Sequence, residues 1–223
     1  IIMNIAIVGA TGNVGRKIIE VLENKNFPIS ELYLIASSKS SGQKINFKGK
    51  EHTVIDLEKF DFSKVKITFF AAGSAVAEKW AHKVAEKTIV IDNSKYFRKD
   101  SEIPLIVPEV NSKELVHVKN KNIIANANCS VIPLVVALKP LHDLYNVKRI
   151  VASTYQSVSG AGKAPMDELL SQTQDYFNNK NLQSKHFTKQ IAFNAIPHID
   201  SFLENGYTKE EQKTSDEVKK ILD

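Results

Sequence analysis

The chain has 223 residues, of which 43% are apolar and 25% are charged, and its net charge is +5. This composition indicates a soluble globular protein with one large domain or two small ones, and it excludes a disordered chain. No apolar run approaches the roughly 18 residues of a membrane span, and residues 1–8 lack the basic lead of a signal peptide.

The cysteine and lysine content narrows the function classes further. The single cysteine excludes a disulfide framework and a multi-cysteine metal site, so we expect no metal and a reducing, cytoplasmic compartment. The basic excess consists mainly of scattered lysines rather than a basic stripe. We therefore predict neither a nucleic-acid partner nor a membrane partner.

The first 92 residues alternate between patterns typical of strands and of helices. Short apolar runs fit strands buried on both faces of a parallel sheet, and Ser74 is a predicted N-cap for the second helix. The predicted strands cover 3–8, 31–36, 65–71 and 88–92, the predicted helices cover 14–25 and 75–87, and a hairpin is predicted over 44–56. This alternation predicts a doubly wound α/β sheet.

The pattern changes near residue 104. Residues 105–110 predict an extended segment, and Asn111 with Glu114 predicts a capping box for a short helix. A predicted strand at 147–155 opens a second region of the chain. The remaining predictions are a strand at 122–125, turns at 126–130 and 159–162, and helices at 131–144, 165–177 and 217–223.

The turn after the first strand reads GATGNVG and is a variant of the dinucleotide fingerprint. The first glycine permits a tight turn, the second lets the backbone approach a pyrophosphate, and the third lets the helix pack against the strand. The helix N-terminus supplies free N–H groups for phosphate. Because the motif lies inside a strand–helix–strand unit, it predicts cofactor binding. The residues assigned here are Gly9, Thr11, Gly12, Asn13, Val14 and Gly15.

The loop after the second strand indicates which cofactor binds. NAD enzymes usually place a carboxylate there for the ribose 2′-OH. This chain instead has Ser37, Ser38, Lys39 and Ser40 after Ala36. Hydroxyls and an ammonium suit a 2′-phosphate, so these four residues predict NADP.

Cys129 follows the last predicted strand of the first unit and precedes a long apolar helix. A helix N-terminus favours the thiolate, which suits covalent aldehyde chemistry beside a nicotinamide. The thiolate would add to an aldehyde, the hemithioacetal would lose hydride, and phosphate would take the thioester. A lone cysteine is also typical of inert core positions, so these residues alone leave both roles open.

Seven motifs follow one another along the chain. They are GATGNVG (9–15), FFAAGS (69–74), VIDNS (90–94), YFR (96–98), PLIVPEVN (104–111), NANCS (126–130) and TYQSVSGAGK (154–163). Together they closely resemble bacterial aspartate-β-semialdehyde dehydrogenases, over residues 3 to about 222. The resemblance implies NADP-dependent, reversible conversion of L-aspartate 4-semialdehyde and phosphate to 4-aspartyl phosphate. It also implies a role in lysine, threonine, methionine and diaminopimelate synthesis.

The resemblance also implies a domain organisation and catalytic residues. It implies a Rossmann-like NADP-binding domain over 1–128 and the start of an α+β catalytic and dimerisation domain over 129–223, in a homodimer or homotetramer. Cys129 matches the nucleophile, and Gln156 matches the residue that positions the substrate. Gly73, Ser159 and Gly160 lie in matching motifs and are assigned to the cofactor.

The substrate-binding residues follow from the same resemblance. Arg98 and Asn128 match groups of the phosphate pocket, and Lys213 matches a lysine that assists with phosphate. Glu210 or Glu211 binds the substrate ammonium, and we favour Glu210 for its three-residue spacing to Lys213. Cations for a phosphate and a carboxylate for an ammonium are also what the charges demand.

The chain departs from the family pattern in two places. Ala127 stands where the family often has proline, which loosens the turn before Cys129. The family also has an R-x-P motif and a later A-H-S or G-H-S motif, which supply an arginine for the substrate carboxylate and the histidine general base. Neither occurs here, and His198 is expected to be structural. We therefore expect weak NADP binding, turnover far below that of a longer version, and exposed apolar surface around 191–202.

Two alternative functions remain open at this point. N-acetyl-γ-glutamyl-phosphate reductases share the architecture and the cysteine nucleophile, although the TYQSVSGAG motif and the E-E-x-K motif of Glu210, Glu211 and Lys213 disfavour them. A non-catalytic NADP-binding protein of the same fold is favoured by the missing arginine and histidine motifs.

Overall fold

A parallel sheet organises the computed structural model, which describes residues 2–222. Ile1 and Asp223, the outer ends of the two predicted domains, lie outside the described residues. The strands within that range are β1 (Met3–Val8), β2 (Ile29–Ala36), β3 (Lys44–Phe47), β4 (Lys50–Thr53), β5 (Ile55–Asp56), β6 (Ile67–Phe70), β7 (Ile89–Asp92), β8 (Leu105–Ile106) and β9 (Ile123–Asn126).

The sheet has the strand order β5-β2-β1-β6-β7-β9-β8, and each neighbouring pair runs parallel. The predicted hairpin is confirmed for β3 and β4, which pair antiparallel and apart from this sheet, whereas residues 55–56 of the predicted range join the parallel sheet as β5. The α-helices are α1 (Asn13–Asn24), α2 (Ser74–Ala85), α3 (Pro108–Asn111), α4 (Val131–Tyr145), α5 (Lys163–Phe177) and α6 (Lys209–Leu222). The predicted doubly wound α/β class is confirmed.

Alternate residues of β1 face two different cores, as the period of two in a strand requires. Ile5 and Ile7 pack with Ile19 and Leu22 of α1 and with the hairpin. Ala6 and Val8 belong to the second core, which includes apolar side chains of α2, α3, α4 and α6. Helices therefore cover both faces of the sheet, which explains why its strands read as nearly continuous apolar runs.

The direction of strand addition reverses at β1. The chain adds β2 on one side of it and β6 on the other, so β1 and its neighbours form a topological switch point. In sheets of this kind ligands bind at the carboxyl ends of the strands beside that point. The turns that follow β1, β2, β6, β7 and β9 therefore share one edge, and they carry most of the predicted site residues.

The chain after α4 differs most from the prediction. The predicted strand at 147–155 is wrong, because 146–157 has no regular structure. Val151 and Tyr155 are 82% and 94% exposed, and no strand among the described residues lies beside this segment to accept its ladder hydrogen bonds. Phe193 and Phe202 are also largely exposed, in the region where exposed apolar surface was predicted.

The C-terminal helix α6 returns to the first unit. Its Val218 and Ile221 are buried in the core that contains Ala6 and Val8 of β1. The helix predicted at 217–223 is longer than expected, since it begins at Lys209.

The domain boundary at 128/129 stays a prediction. No helix within 2–222 combines the length and apolarity needed to cross a bilayer.

Two predicted caps are wrong. Ser74 is the first residue of α2, and Gly73 occupies the N-cap position with a positive φ of 85°. The predicted short helix after Asn111 is present as a 3₁₀ helix (Ser112–Asn120), but Asn111 does not cap it: its side chain accepts from the N–H of Val107 and donates to the carbonyl of Leu105. Residues 108–110, predicted to be extended, instead begin α3, with Pro108 in its first turn.

The turn between β1 and α1 is packed so closely that two of its positions require glycine. Gly9 has a positive φ of 86°, and a Cβ there would lie 2.6 Å from the carbonyl carbon of Ala71. A Cβ on Gly15 would lie 2.2 Å from the carbonyl oxygen of Gly9. Gly12 differs, because a Cβ there would meet only that same oxygen, at 3.4 Å.

We expect Gly15→Ala to lower the free energy of unfolding by about 1–3 kcal/mol, because the new methyl group overlaps the Gly9 carbonyl. Gly12→Ala is the matched control and should leave the free energy of unfolding nearly unchanged. Denaturant unfolding followed by circular dichroism measures both. Equal stability of the two variants would contradict this packing.

Candidate active site

The N-terminus of α1 presents N–H groups at the open side of the glycine turn. Arg16 is the first residue within the helix whose N–H bonds a backbone carbonyl, that of Gly12 at 2.9 Å. The N–H groups of Asn13, Val14 and Gly15 have no backbone acceptor within 2–222, and no side chain caps the helix. These donors and the positive end of the helix dipole suit a phosphate. The turn therefore fits the diphosphate of a dinucleotide, with Thr11 half-buried beside it.

The loop after β2 is a short 3₁₀ turn without a carboxylate. Ser38–Ser40 form the turn, and Ser37, Ser38 and Lys39 are exposed. Asp56, on the neighbouring strand β5, pairs in register with Ala36. Its side chain accepts from the N–H of Glu58 at 3.2 Å, so it is engaged within its own turn. The loop thus leaves hydroxyls and one ammonium exposed.

The other predicted cofactor residues come from two different segments of the chain. Gly73 lies between β6 and α2, in the loop whose Ala71 packs against Gly9. Ser159 and Gly160 lie in a 3₁₀ turn just before α5. That helix contacts the glycine turn, because the side-chain amide of Asn13 donates to Sδ of Met166 at 3.4 Å.

Cys129 lies in the turn between β9 and α4, and its side chain is exposed. The preceding residue, Asn128, shapes the turn: its Oδ1 accepts from both the N–H and the hydroxyl of Ser130, at 2.8 Å each. The backbone carbonyl of Asn128 accepts from the N–H groups of Val131 and Ile132. The thiol is therefore presented at the start of α4 by a hydrogen-bonded turn.

Asn128 also joins this turn to α6. Its backbone N–H donates to Oε2 of Glu217 at 2.6 Å, and its side-chain amide donates to Oε1 of Glu210 at 2.8 Å. Lys213 donates to Oε2 of Glu210 at 3.2 Å and to Asp200 at 2.7 Å. The structure thus brings Asn128, Glu210 and Lys213 into one network next to Cys129.

The two neighbouring acids of α6 have different partners. Glu211 forms a capping box with Thr208: its carboxylate accepts from the Thr208 N–H at 2.6 Å, and the Thr208 hydroxyl accepts from the Glu211 N–H at 3.2 Å. Glu210 instead faces Asn128 and Lys213. Only Glu210 is therefore available to the cluster around Cys129.

Arg98 lies on the far side of the same network. Its Nη1 donates to Oε1 of Glu217 at 3.1 Å and its Nη2 to the carbonyl of Asn93 at 3.3 Å. A guanidinium has five N–H donors, so three remain, and the buried Nε of Arg98 has no acceptor among the described residues. Arg98 retains donors for an anion.

Mutual hydrogen bonding stabilises the charged forms of Lys213 and Asp200. Burial lowers the pKa of Lys213, but its hydrogen bonds to Asp200 and Glu210 outweigh burial, and the pKa is raised overall. The hydrogen bond from Lys213 lowers the pKa of Asp200. Lys213 and Asp200 are therefore both charged at neutral pH. Burial raises the pKa of Asp92, at the end of β7.

Gln156 is a predicted site residue that does not join the hydrogen-bond network around Cys129. It lies half-buried in the irregular segment 146–157 and makes no hydrogen bond within the described range. Sequence reasoning missed Glu217 and Asp200. Glu217 lies seven residues after Glu210 on α6, two helical turns along the same face, and this spacing was the available signal.

The chain matches known protein families and structures along nearly all of its length. Two family profiles match, "Semialdehyde dehydrogenase, NAD binding domain" over residues 4–118 and "Semialdehyde dehydrogenase, dimerisation domain" over residues 138–223. Aspartate-semialdehyde dehydrogenase 2 of Vibrio cholerae is 50% identical over 220 residues, which are 98% of this chain and 65% of that protein. The chain therefore spans less than two thirds of that relative's length.

Solved structures give the same assignment. The crystal structure of aspartate semialdehyde dehydrogenase II from Vibrio cholerae, complexed with ASA, has a TM-score of 0.96 and 50% identity, over 99% of this chain and 66% of that one. The Candida albicans enzyme solved with NADP has a TM-score of 0.54 and 26% identity, over 66% of this chain and 48% of that one. With a matching nucleotide-binding profile and a turn that fits a diphosphate, these similarities support a nicotinamide cofactor. The chain belongs to the semialdehyde dehydrogenase family.

Proposed function

We propose that the protein catalyses the reversible, NADP-dependent conversion of L-aspartate 4-semialdehyde and phosphate to 4-aspartyl phosphate. The observation that carries the proposal is the exposed thiol of Cys129 in a turn hydrogen-bonded to a cluster of fixed charges. Asn128 connects that turn to Glu210 and Glu217, and through them to Lys213 and Arg98. The cluster offers cations for phosphate and a carboxylate for an ammonium.

Cys129 is proposed as the nucleophile. Its thiolate adds to the aldehyde carbon and forms a hemithioacetal. Loss of a hydride, together with transfer of the hydroxyl proton to water, then leaves a thioester. Phosphate then attacks the thioester carbonyl, and the thiolate leaves Cys129 as 4-aspartyl phosphate forms. The nicotinamide cofactor, when bound, accepts the hydride. The exposed thiol at the start of α4 is accessible to the aldehyde that begins this sequence.

The surrounding residues are proposed to orient the substrate. Glu210 binds its ammonium group, while Arg98, Asn128 and Lys213 bind the phosphate. Lys213 is paired with both Asp200 and Glu210, so two of its three N–H donors are engaged and their partners direct the third. Gln156 positions the substrate from the segment that precedes α5. These roles follow from charge and from the similarity to aspartate-semialdehyde dehydrogenases.

The finer features of the protein are also proposals. NADP is favoured over NAD by the acid-free turn Ser37–Ser40, with the diphosphate at Gly9, Gly12 and the α1 N-terminus. Gly73, Ser159 and Gly160 complete the cofactor site. We further propose a cytoplasmic homodimer or homotetramer that acts in amino-acid biosynthesis leading to lysine, threonine, methionine and diaminopimelate.

The nucleophile role predicts a reactive thiol. Cys129 should be alkylated by iodoacetamide at neutral pH faster than a free cysteine in an unstructured peptide, because the proposed nucleophile attacks as a thiolate. Mass spectrometry of the time course gives both rates. A rate at or below that of the peptide would identify Cys129 as an unactivated surface residue.

Cofactor preference is tested at the loop after β2. Ser38→Asp places a carboxylate near the 2′-phosphate and should weaken NADP binding by about tenfold or more, with a smaller effect on NAD. Ser38→Ala is the matched control, since it removes the hydroxyl without adding charge. Isothermal calorimetry measures all affinities. Similar affinities of the parent protein for NAD and NADP would argue against the proposal.

The covalent step is tested directly by acylation. Incubation with 4-aspartyl phosphate should add one aspartyl group to Cys129 and release phosphate, and Cys129→Ser should abolish the adduct while leaving NADP affinity unchanged. Intact-mass and peptide mass spectrometry identify the adduct. Addition of reduced cofactor should then discharge it as the semialdehyde. Absence of the adduct in the parent protein, with NADP bound, would favour a non-catalytic dinucleotide-binding role.

A further inference from the structure

We propose that Glu217 is a positioning residue that holds Arg98 and the Asn128–Cys129 turn in one fixed arrangement. The proposal rests on the proposed function, because it concerns the geometry between an anion-binding side chain and a nucleophile. Glu217 itself touches neither the reacting thiol nor the remaining donors of Arg98. It acts through the two groups that its carboxylate connects.

The two oxygens of the Glu217 carboxylate have different partners. Oε1 accepts from Nη1 of Arg98 at 3.1 Å, and Oε2 accepts from the backbone N–H of Asn128 at 2.6 Å. The side chain of Glu217 is 3% exposed and that of Arg98 is 11% exposed. Bulk water therefore does not replace either bond, and both partners are held by one rigid carboxylate.

The position of the second bond gives Glu217 its connection to the thiol. The N–H that it binds belongs to the residue directly before Cys129. The carbonyl of that same residue starts α4 by accepting from Val131 and Ile132. A shift of Glu217 would therefore move the peptide that presents Cys129. Glu210 holds the side chain of Asn128 from the same helix, so α6 contacts this residue at two points.

Lys220, one turn further along α6, holds the backbone of Arg98. Its ammonium donates to the carbonyls of Arg98, Asp100 and Ile103, at 3.0, 2.5 and 3.0 Å. Burial lowers the pKa of Lys220. Helix α6 therefore holds Arg98 at both its side chain and its main chain. Docking of the helix alone would not require both contacts.

The substitution Glu217→Gln separates positioning from general stability. The amide keeps the shape of the carboxylate but has only one acceptor oxygen, and its NH₂ group would oppose a donor of either Arg98 or Asn128. It can therefore serve one partner and not both. Val218→Ala is the matched control, because it weakens the packing of the adjacent residue of α6 without touching either partner.

The experiment is a double-mutant cycle read by iodoacetamide alkylation of Cys129. Arg98→Lys keeps the charge and loses the planar fork, so its effect reports geometry more than through-space electrostatics. We expect Arg98→Lys to change the alkylation rate at least about twofold in the parent and in the Val218→Ala background. In the Glu217→Gln background the effect should disappear. If Glu217→Gln does not fold, Glu217→Asp replaces it, since the shorter acid keeps the charge and cannot span both partners.

Three outcomes would overturn the inference: no effect of Arg98→Lys in the parent, an effect that persists without the Glu217 carboxylate, or an effect lost equally in Val218→Ala. A separate arm tests the proposed phosphate site, which predicts that inorganic phosphate slows alkylation in the parent in a saturable way. Failure of that arm alone counts against the proposed function and leaves the cycle to decide the role of Glu217.

Discussion

The buried carboxylate of Glu217 is the constraint on which the candidate site depends. A carboxylate removed from water is costly unless its oxygens are paired, and loss of one partner of a buried ion pair typically costs about 3–5 kcal/mol. Here one oxygen is paired with Arg98 and the other with the N–H of Asn128. Because neither bond can be exchanged for water, the loop after β7, the turn after β9 and α6 must take up one mutual arrangement.

Helix α6 combines this role with ordinary core packing. Glu210, Lys213, Glu217 and Lys220 follow at spacings of three, four and three residues, so they form one stripe along the helix. Val218 and Ile221 lie next to that stripe and enter the core. The charged stripe contacts protein groups at each of its four positions rather than facing solvent.

The sequence predicted the features that depend on local pattern. The strands β1, β2, β6 and β7 are short apolar runs, and the glycine turn has a fixed spacing, so both were predictable from neighbouring residues. The predicted strand at 147–155 failed because a strand needs a partner, and sequence pattern does not reveal whether one is present. Glu217 was missed because a charged residue on an amphipathic helix is usually solvated. The choice between Glu210 and Glu211 needed Thr208, whose capping box with Glu211 leaves Glu210 facing the site.

The distance between the two halves of the site follows from the sheet itself. The glycine turn follows β1 and the Cys129 turn follows β9, and the order β1-β6-β7-β9 separates them by three strand spacings. At about 4.8 Å for each spacing the separation is roughly 14 Å along the edge. A ligand held by its phosphates at α1 must therefore extend past the ends of β6 and β7 to reach the thiol. An elongated dinucleotide has that shape, and the loops it would cross contain Gly73 and Asn93, the residue whose carbonyl holds Arg98. The parallel sheet thus sets the length of the ligand, while α6 sets the geometry at its reactive end.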